Sequence, residues 1–203
     1  PVWSPDGRYL YYCMTSQVKP GFDYRQVKYD VARMPFDERT GIFGNPEVIL
    51  NAQAINKSAS FPTISPDGQF LVVTLHDFGT FPNWHREADL YSLSLKDGEL
   101  KKMTLNSIET ESYNSWSSNG SWLVFSSKRG DGLTSRPYFA YFVNPDTIGK
   151  PFVLPQKDPG LYKRFDKSFN KPELVSGKIK SGPAKIVVAS EKESIKAIWI
   201  EKK

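Results

Sequence analysis

His76 and His85 are the two imidazoles of this 203-residue chain, and both stand close to carboxylates: His76 beside Asp77, His85 near Glu87 and Asp89. Imidazole next to carboxylate is the raw material of zinc ligation and of general acid–base catalysis. A separation of nine residues matches neither a helix face nor a strand face, so local spacing does not set the two rings together. Cys13 is the single cysteine, which excludes an intrachain disulfide and a cysteine-based zinc site. It lies in an apolar run with nothing beside it to favour a thiolate, and it reads as a small buried hydrophobe. The chain carries no G-x-S-x-G elbow, no G-x-x-x-x-G-K-[ST] phosphate loop and no H-E-x-x-H pair. No catalytic residue, metal site or cofactor is assigned.

Recognition chemistry is better represented. Aromatic and guanidinium side chains gather in three polar stretches, Thr15 to Lys28, His76 to Glu87 and Ser127 to Pro137. The binding candidates are His76, Phe81, Trp84, His85, Arg86, Arg129, Asp131, Arg136 and Tyr138, with Phe22 and Tyr24 from the first stretch. Trp, Tyr and Arg are enriched where proteins meet partners. A structural role stays open for Trp84, Tyr138 and the arginines: they would tie the stretches to their neighbours, with Arg129 paired to Asp131 or Glu87.

The elements that must position these residues announce themselves by repetition. Ser4-Pro5-Asp6-Gly7 returns as Ser65-Pro66-Asp67-Gly68 and, worn, as Ser117-Ser118-Asn119-Gly120, spaced by 61 and 52 residues. Each copy leads into an apolar run: Tyr9-Leu10-Tyr11-Tyr12, Phe70-Leu71-Val72-Val73 and Trp122-Leu123-Val124-Phe125. Proline presets the first corner of a tight turn, Asp or Asn bonds back to the local backbone, and Gly supplies positive φ. Recurring hairpin tips with short apolar strands predict an all-β protein, a β-propeller with about three four-stranded antiparallel blades present as a partial ring. Repeats of roughly 40 to 50 residues are usual, so the extra length is assigned to loops. The blades are assigned to residues 1–57, 58–110 and 111–157. Residues 158–203 form an irregular C-terminal extension whose end reads as a closing hairpin, Ala184 to Ala189 and Ile195 to Ile200, with a short helix around Ile195 as the competing reading. In up-and-down blades the three long stretches emerge on one face, opposite the Ser-Pro-Asp-Gly tips. Along the third strand of the second blade, Leu90, Ser92 and Ser94 alternate with Tyr91, Leu93 and Leu95, which predicts one wetter face.

Charge and hydropathy narrow the partners. The net charge of +5 comes from the tail: residues 162–203 carry a surplus of +6 and the rest −1. A nearly neutral blade region lacks the basic stripe of a nucleic-acid binder, so nucleic acid is not expected. No run approaches the roughly 18 apolar residues of a transmembrane segment. The sequence opens at Pro1 inside a hairpin, and we read it as lacking an upstream part that would hold further blades and any targeting signal or lipid anchor.

The S-P-D-G turn followed by an aromatic-aliphatic strand resembles the repeat of TolB-like propellers, relatives of the WD-type repeats, over residues 1 to about 157. Phe81-Pro82-Asn83-Trp84-His85-Arg86-Glu87-Ala88-Asp89-Leu90-Tyr91, Trp116-Ser117-Ser118-Asn119, Ser126 to Leu133 and Arg136-Pro137-Tyr138 are similar to the closing blades of that family, and Lys167 to Glu173 to the segment after them. The resemblance implies a non-enzymatic scaffold that is periplasmic or associated with a Gram-negative envelope and holds an envelope protein or glycan through the loop-rich face. It leaves the oligomeric state unknown. An alternative is the propeller portion of a larger enzyme, a metal-dependent lyase or the cap of a hydrolase, with reactive groups upstream.

Overall fold

The computed structural model describes residues 1–15, 21, 23–178 and 181–192. Its strands form three consecutive antiparallel sheets. The first contains β1 (Val2–Trp3), β2 (Tyr9–Met14), β3 (Asp30–Asp37), β4 (Ile42–Phe43) and β5 (Glu47–Leu50). The second is β6 (Ser58–Ile64), β7 (Phe70–His76), β8 (Asp89–Ser94) and β9 (Leu100–Lys102). The third contains β10 (Glu111–Trp116), β11 (Trp122–Ser127), β12 (Arg136–Asn144), β13 (Thr147–Ile148) and β14 (Phe152–Val153). Strands follow chain order within each sheet except that β5 and β14 pair back onto β3 and β12, and β6 lies against β1 to β3 while β10 lies against β6 to β8. Four-stranded meanders stacked in sequence with their first strands side by side are the blades of a partial propeller.

The recurring turns are built alike. In the second sheet Gly68 N donates to Ser65 O at 2.8 Å and Ser65 N to Phe70 O at 2.8 Å, with Gly68 at φ 72°. The Ser65 hydroxyl donates to Asp67 and accepts from Phe70 N at 2.9 Å, while Asp67 accepts from Gln69 N at 3.0 Å. Ser4 with Asp6 and Ser117 with Asn119 repeat the pattern. The opening serine is thus a relay between the turn carboxylate or amide and the strand that follows. Ser65 is buried, so Ser65→Ala leaves Phe70 N without its side-chain acceptor and takes one donor from the exposed Asp67. It is expected to cost about 1–2 kcal/mol, read as a shift of the urea midpoint; a shift indistinguishable from zero would mean the relay is idle.

Two dry seams hold the blades together. Tyr11, Val31 and Leu50 of the first sheet meet Ile64, Leu71, Val73, Leu75 and Leu93 of the second. Val72, Leu90, Met103 and Leu105 meet Trp116, Leu123, Phe125, Ala140 and Phe142 of the third. This corrects the expectation for β8: Leu90, Ser92 and Leu93 are all buried, because the middle blade is covered on both sides.

Part of the extra length lies in hairpin extensions as well as in loops. The turn at residues 37–41 joins β3 to the two-residue β4, after which the chain returns to pair β5 with β3. The turn at 144–147 does the same between β12 and β13, with β14 returning to β12. Phe36 and Phe43 close on Trp3, with ring centroids 5.1 and 5.9 Å from it, which gives the first extension its own small apolar contact.

Beyond β14 the chain makes one helical turn, α1 (Leu161–Arg164), and lies along the third sheet: Tyr162 OH donates to Leu154 O at 2.7 Å and Phe169 N to Ser135 O at 2.9 Å. The strand expected over Ala184 to Ala189 is instead α2 (Pro183–Ser190). The described residues offer this segment no partner strand, so its amides and carbonyls are satisfied within a helix entered through Pro183. The expected second strand, Ile195 to Ile200, lies outside the described residues. No described helix is long and apolar enough to cross a membrane.

Candidate functional site

The loops after β2, β7 and β11 meet on one face. Lys28 Nζ donates to Asp77 O at 2.6 Å and to Asn56 O at 2.9 Å, and Gly79 N donates to Val27 O at 2.8 Å. Tyr24 packs edge-on against Phe78 with centroids 5.8 Å apart. On the other side Lys128 Nζ donates to Asn83 O at 2.7 Å, Ser112 Oγ bonds Asn83 Oδ1, and Thr110 Oγ1 donates to His85 O at 2.8 Å. The 3-10 turn Pro82–Trp84 is thereby held from the third blade, while the start of its loop is held from the first. Phe22 lies outside the described residues.

That turn also brings the histidines together, against the expectation from their spacing: their ring centroids are 4.8 Å apart. His76 Nε2 is 2.9 Å from Ser60 Oγ, and His85 Nδ1 is 2.9 Å from Glu87 Oε1. Burial, and then the proximity of His85, pushes the His76 pKa down to about 4. A neutral imidazole bonded to serine has the outline of a base and nucleophile, but no carboxylate bonds His76 Nδ1. Among the described residues no cluster of three His, Cys, Asp or Glu side chains could hold a metal. Burial raises the Cys13 pKa to about 12, so its sulfur stays a thiol.

The other candidates divide by burial. Arg129 turns inward: Nη2 donates to Leu105 O at 2.8 Å and to Glu111 Oε1 at 3.0 Å, and the guanidinium lies 4.9 Å from the Tyr138 ring. Its carboxylate partner is therefore Glu111, not Asp131 or Glu87. Glu87 serves His85, and Asp131 pairs with Arg136 at 3.3 Å. Against the upward push of its partial burial, the Thr134 hydroxyl and amide, the Leu133 amide and Arg136 hold the Asp131 carboxyl at about 2. Arg136 is buried, donates to Tyr162 O at 2.8 Å and lies over the Tyr162 ring, which fastens the tail to the third blade. Arg129 and Arg136, with Tyr138, build the face from within, while Asp131 stays exposed at its edge.

What reaches solvent is a smaller set. Trp84 is 86% exposed with Lys128 Nζ 5.9 Å from its ring, and Phe81 is 66% exposed. Arg86 is exposed and bonds Glu109 Oε1 at 2.7 Å. Two residues that sequence reasoning missed join them, Ile108 at 81% and Leu133 at 78%. The loops bearing them touch, since a Cβ on Gly132 would lie 3.5 Å from Glu109 Oε2. Each is a lone apolar residue in a polar stretch, a signal that existed but is common on surfaces.

No protein-family model matches the chain, and no curated protein matches it significantly. Among solved structures it is similar to a puromycin hydrolase complexed with PGG, at TM-score 0.49 and 13% identity over 74% of this chain and 21% of that one. It is similar to the β-propeller domain of the Trilobed protease from Pyrococcus furiosus, at TM-score 0.44 and 16% identity over 74% and 41%. Hydrazine synthase from Kuenenia stuttgartiensis gives TM-score 0.41 and 15% identity over 68% and 38%. The chain spans less than half the length of each, and the likeness concerns the arrangement of strands alone.

Proposed function

We propose that the chain is a recognition module that holds a protein partner on the crown formed by its three long loops. The observation behind this reading is Trp84: a large aromatic side chain almost wholly in water, on a backbone pinned by hydrogen bonds from the neighbouring blade. Exposing tryptophan while immobilising its main chain gives contact area whose ordering cost is already met in the free protein. Ile108 and Leu133 supply exposed aliphatic surface on loops that touch each other, and the charges on this face are largely paired among themselves, as Arg86 with Glu109 and Lys57 with Asp77. That composition suits a protein surface with apolar anchors better than a polyanion. The finer assignment, a TolB-like scaffold in a Gram-negative envelope, rests on the sequence resemblance, and the role proposed is non-enzymatic.

Trp84→Ala and Ile108→Ala test the crown. Both side chains are exposed, so folding stability is expected to change by less than about 0.5 kcal/mol. Capture of binding proteins by the immobilised chain, compared by quantitative mass spectrometry, is expected to fall at least about tenfold for Trp84→Ala. Equal capture by the variant and the parent would rule the crown out.

A further inference from the structure

The innermost strands of the second and third blades share an irregularity. The β6–β7 register slips between Ser60 and Thr63, and the β10–β11 register slips between Ser112 and Ser115. At each bulge an aromatic residue takes left-handed backbone, Phe61 at φ 52° and Tyr113 at φ 50°. Bulky residues rarely adopt this region, and such strain persists only where the surroundings impose it. Here the two bulges are locked to each other: the rings lie 4.4 Å apart, Thr63 Oγ1 donates to Asn114 Oδ1, and Asn114 Nδ2 donates to Phe61 O at 3.2 Å.

Beside Phe61 opens a cavity of about 560 Å³, bordered by Tyr12, Phe61 and Phe81 and by Thr63 and Thr80, with the fully buried Asn114 behind them. That volume lies within the range of small-ligand sites. We propose that this cavity binds a neutral saccharide, with aromatic faces stacking on the sugar ring and the threonine hydroxyls meeting its hydroxyls. The lining contains no carboxylate to select a cation, and its one lysine, Lys171, bonds Glu173. An extended peptide is the poorer fit, because strand addition needs a continuous row of amides and carbonyls. Pro62 lacks the amide and both bulges interrupt the row. The proposal rests on the chain being a recognition module, yet uses residues other than Trp84, Ile108 and Leu133.

The test is a titration of the 203-residue chain with glucose, N-acetylglucosamine and the β-1,4-linked tetramers of each, followed by saturation-transfer NMR. At least one tetramer is expected to bind at a concentration below about 10 mM. Phe81→Ala, an exposed position, is expected to weaken that binding about tenfold, and Thr80→Val to weaken it measurably. Tyr141→Ala, on the third blade away from the cavity, is expected to leave it unchanged. Silence from all four sugars, or equal binding by parent and Phe81→Ala, overturns the proposal, as does equal weakening by Tyr141→Ala. Protein capture by Trp84→Ala is a separate readout, so a failed titration leaves the crown standing and a failed crown leaves the titration standing.

Discussion

Glu111→Ala is expected to destabilise the protein by about 3–5 kcal/mol, the range for removing one partner of a buried ion pair. The side chain is fully buried and answers four donors: Ser107 N at 2.8 Å, Ser107 Oγ at 2.7 Å, Ser127 Oγ at 2.7 Å and Arg129 Nη2 at 3.0 Å. Alanine leaves all four facing a void, with a guanidinium that is itself mostly shielded from water. Glu111→Gln keeps the shape and one acceptor oxygen, and is expected to lose less, about 1–3 kcal/mol. Urea midpoints at constant slope give both numbers. A loss below about 1 kcal/mol for alanine would mean that water enters and replaces the carboxylate.

The second large effect is acid lability with its source in His76. An unfolded histidine titrates near 6.5, whereas the folded one is held at about 4 by burial and then by His85. Between those values the unfolded chain binds the extra proton, so stability is complete above about pH 6.5 and falls as pH drops toward 4. The whole difference is on the order of 3 kcal/mol. Carboxylates act in another window: the Ser4 hydroxyl, then the Arg8 amide and guanidinium, hold Asp6 at about 2 against an ordinary 3.8, so its contribution is lost only as pH falls from near 4 toward 2. His76→Gln should therefore flatten the decline between pH 6.5 and 4 and leave the steeper loss below pH 4 in place. Parallel urea-midpoint profiles for parent and variant would sink the assignment.

Blade architecture was legible because it is written in short-range chemistry. Asp67-Gly68 and its counterparts specify a turn within four residues, and Phe70-Leu71-Val72-Val73 specifies a buried strand, so neither needs tertiary knowledge. The role of Ser65 was not legible, since a relay hydroxyl and a solvated one read alike. The same holds for Glu111, whose meaning depends on Arg129, 18 residues away, and on Ser127 across the β10–β11 pair. His76 and His85 meet only because the loop folds back at Pro82–Trp84, a geometry held by Lys128 and Ser112 of the next blade. For Ala184 to Ala189 the β-branched residues spoke for a strand, but a strand exists only where another offers its edge. Of the nine binding candidates, Phe81, Trp84, Arg86 and Asp131 reach solvent, and the remaining five are largely buried or bonded inward.

The latches across the crown also constrain how such a chain can change over generations. Two of them join adjacent repeats, Lys28 donating forward to Asp77 and Lys128 back to Asn83. Excising or duplicating a single repeat would orphan a lysine on one side of the junction and a carbonyl on the other. Gene rearrangement would succeed most readily when neighbouring repeats travel together, or when the loop tips are rewritten at the seam.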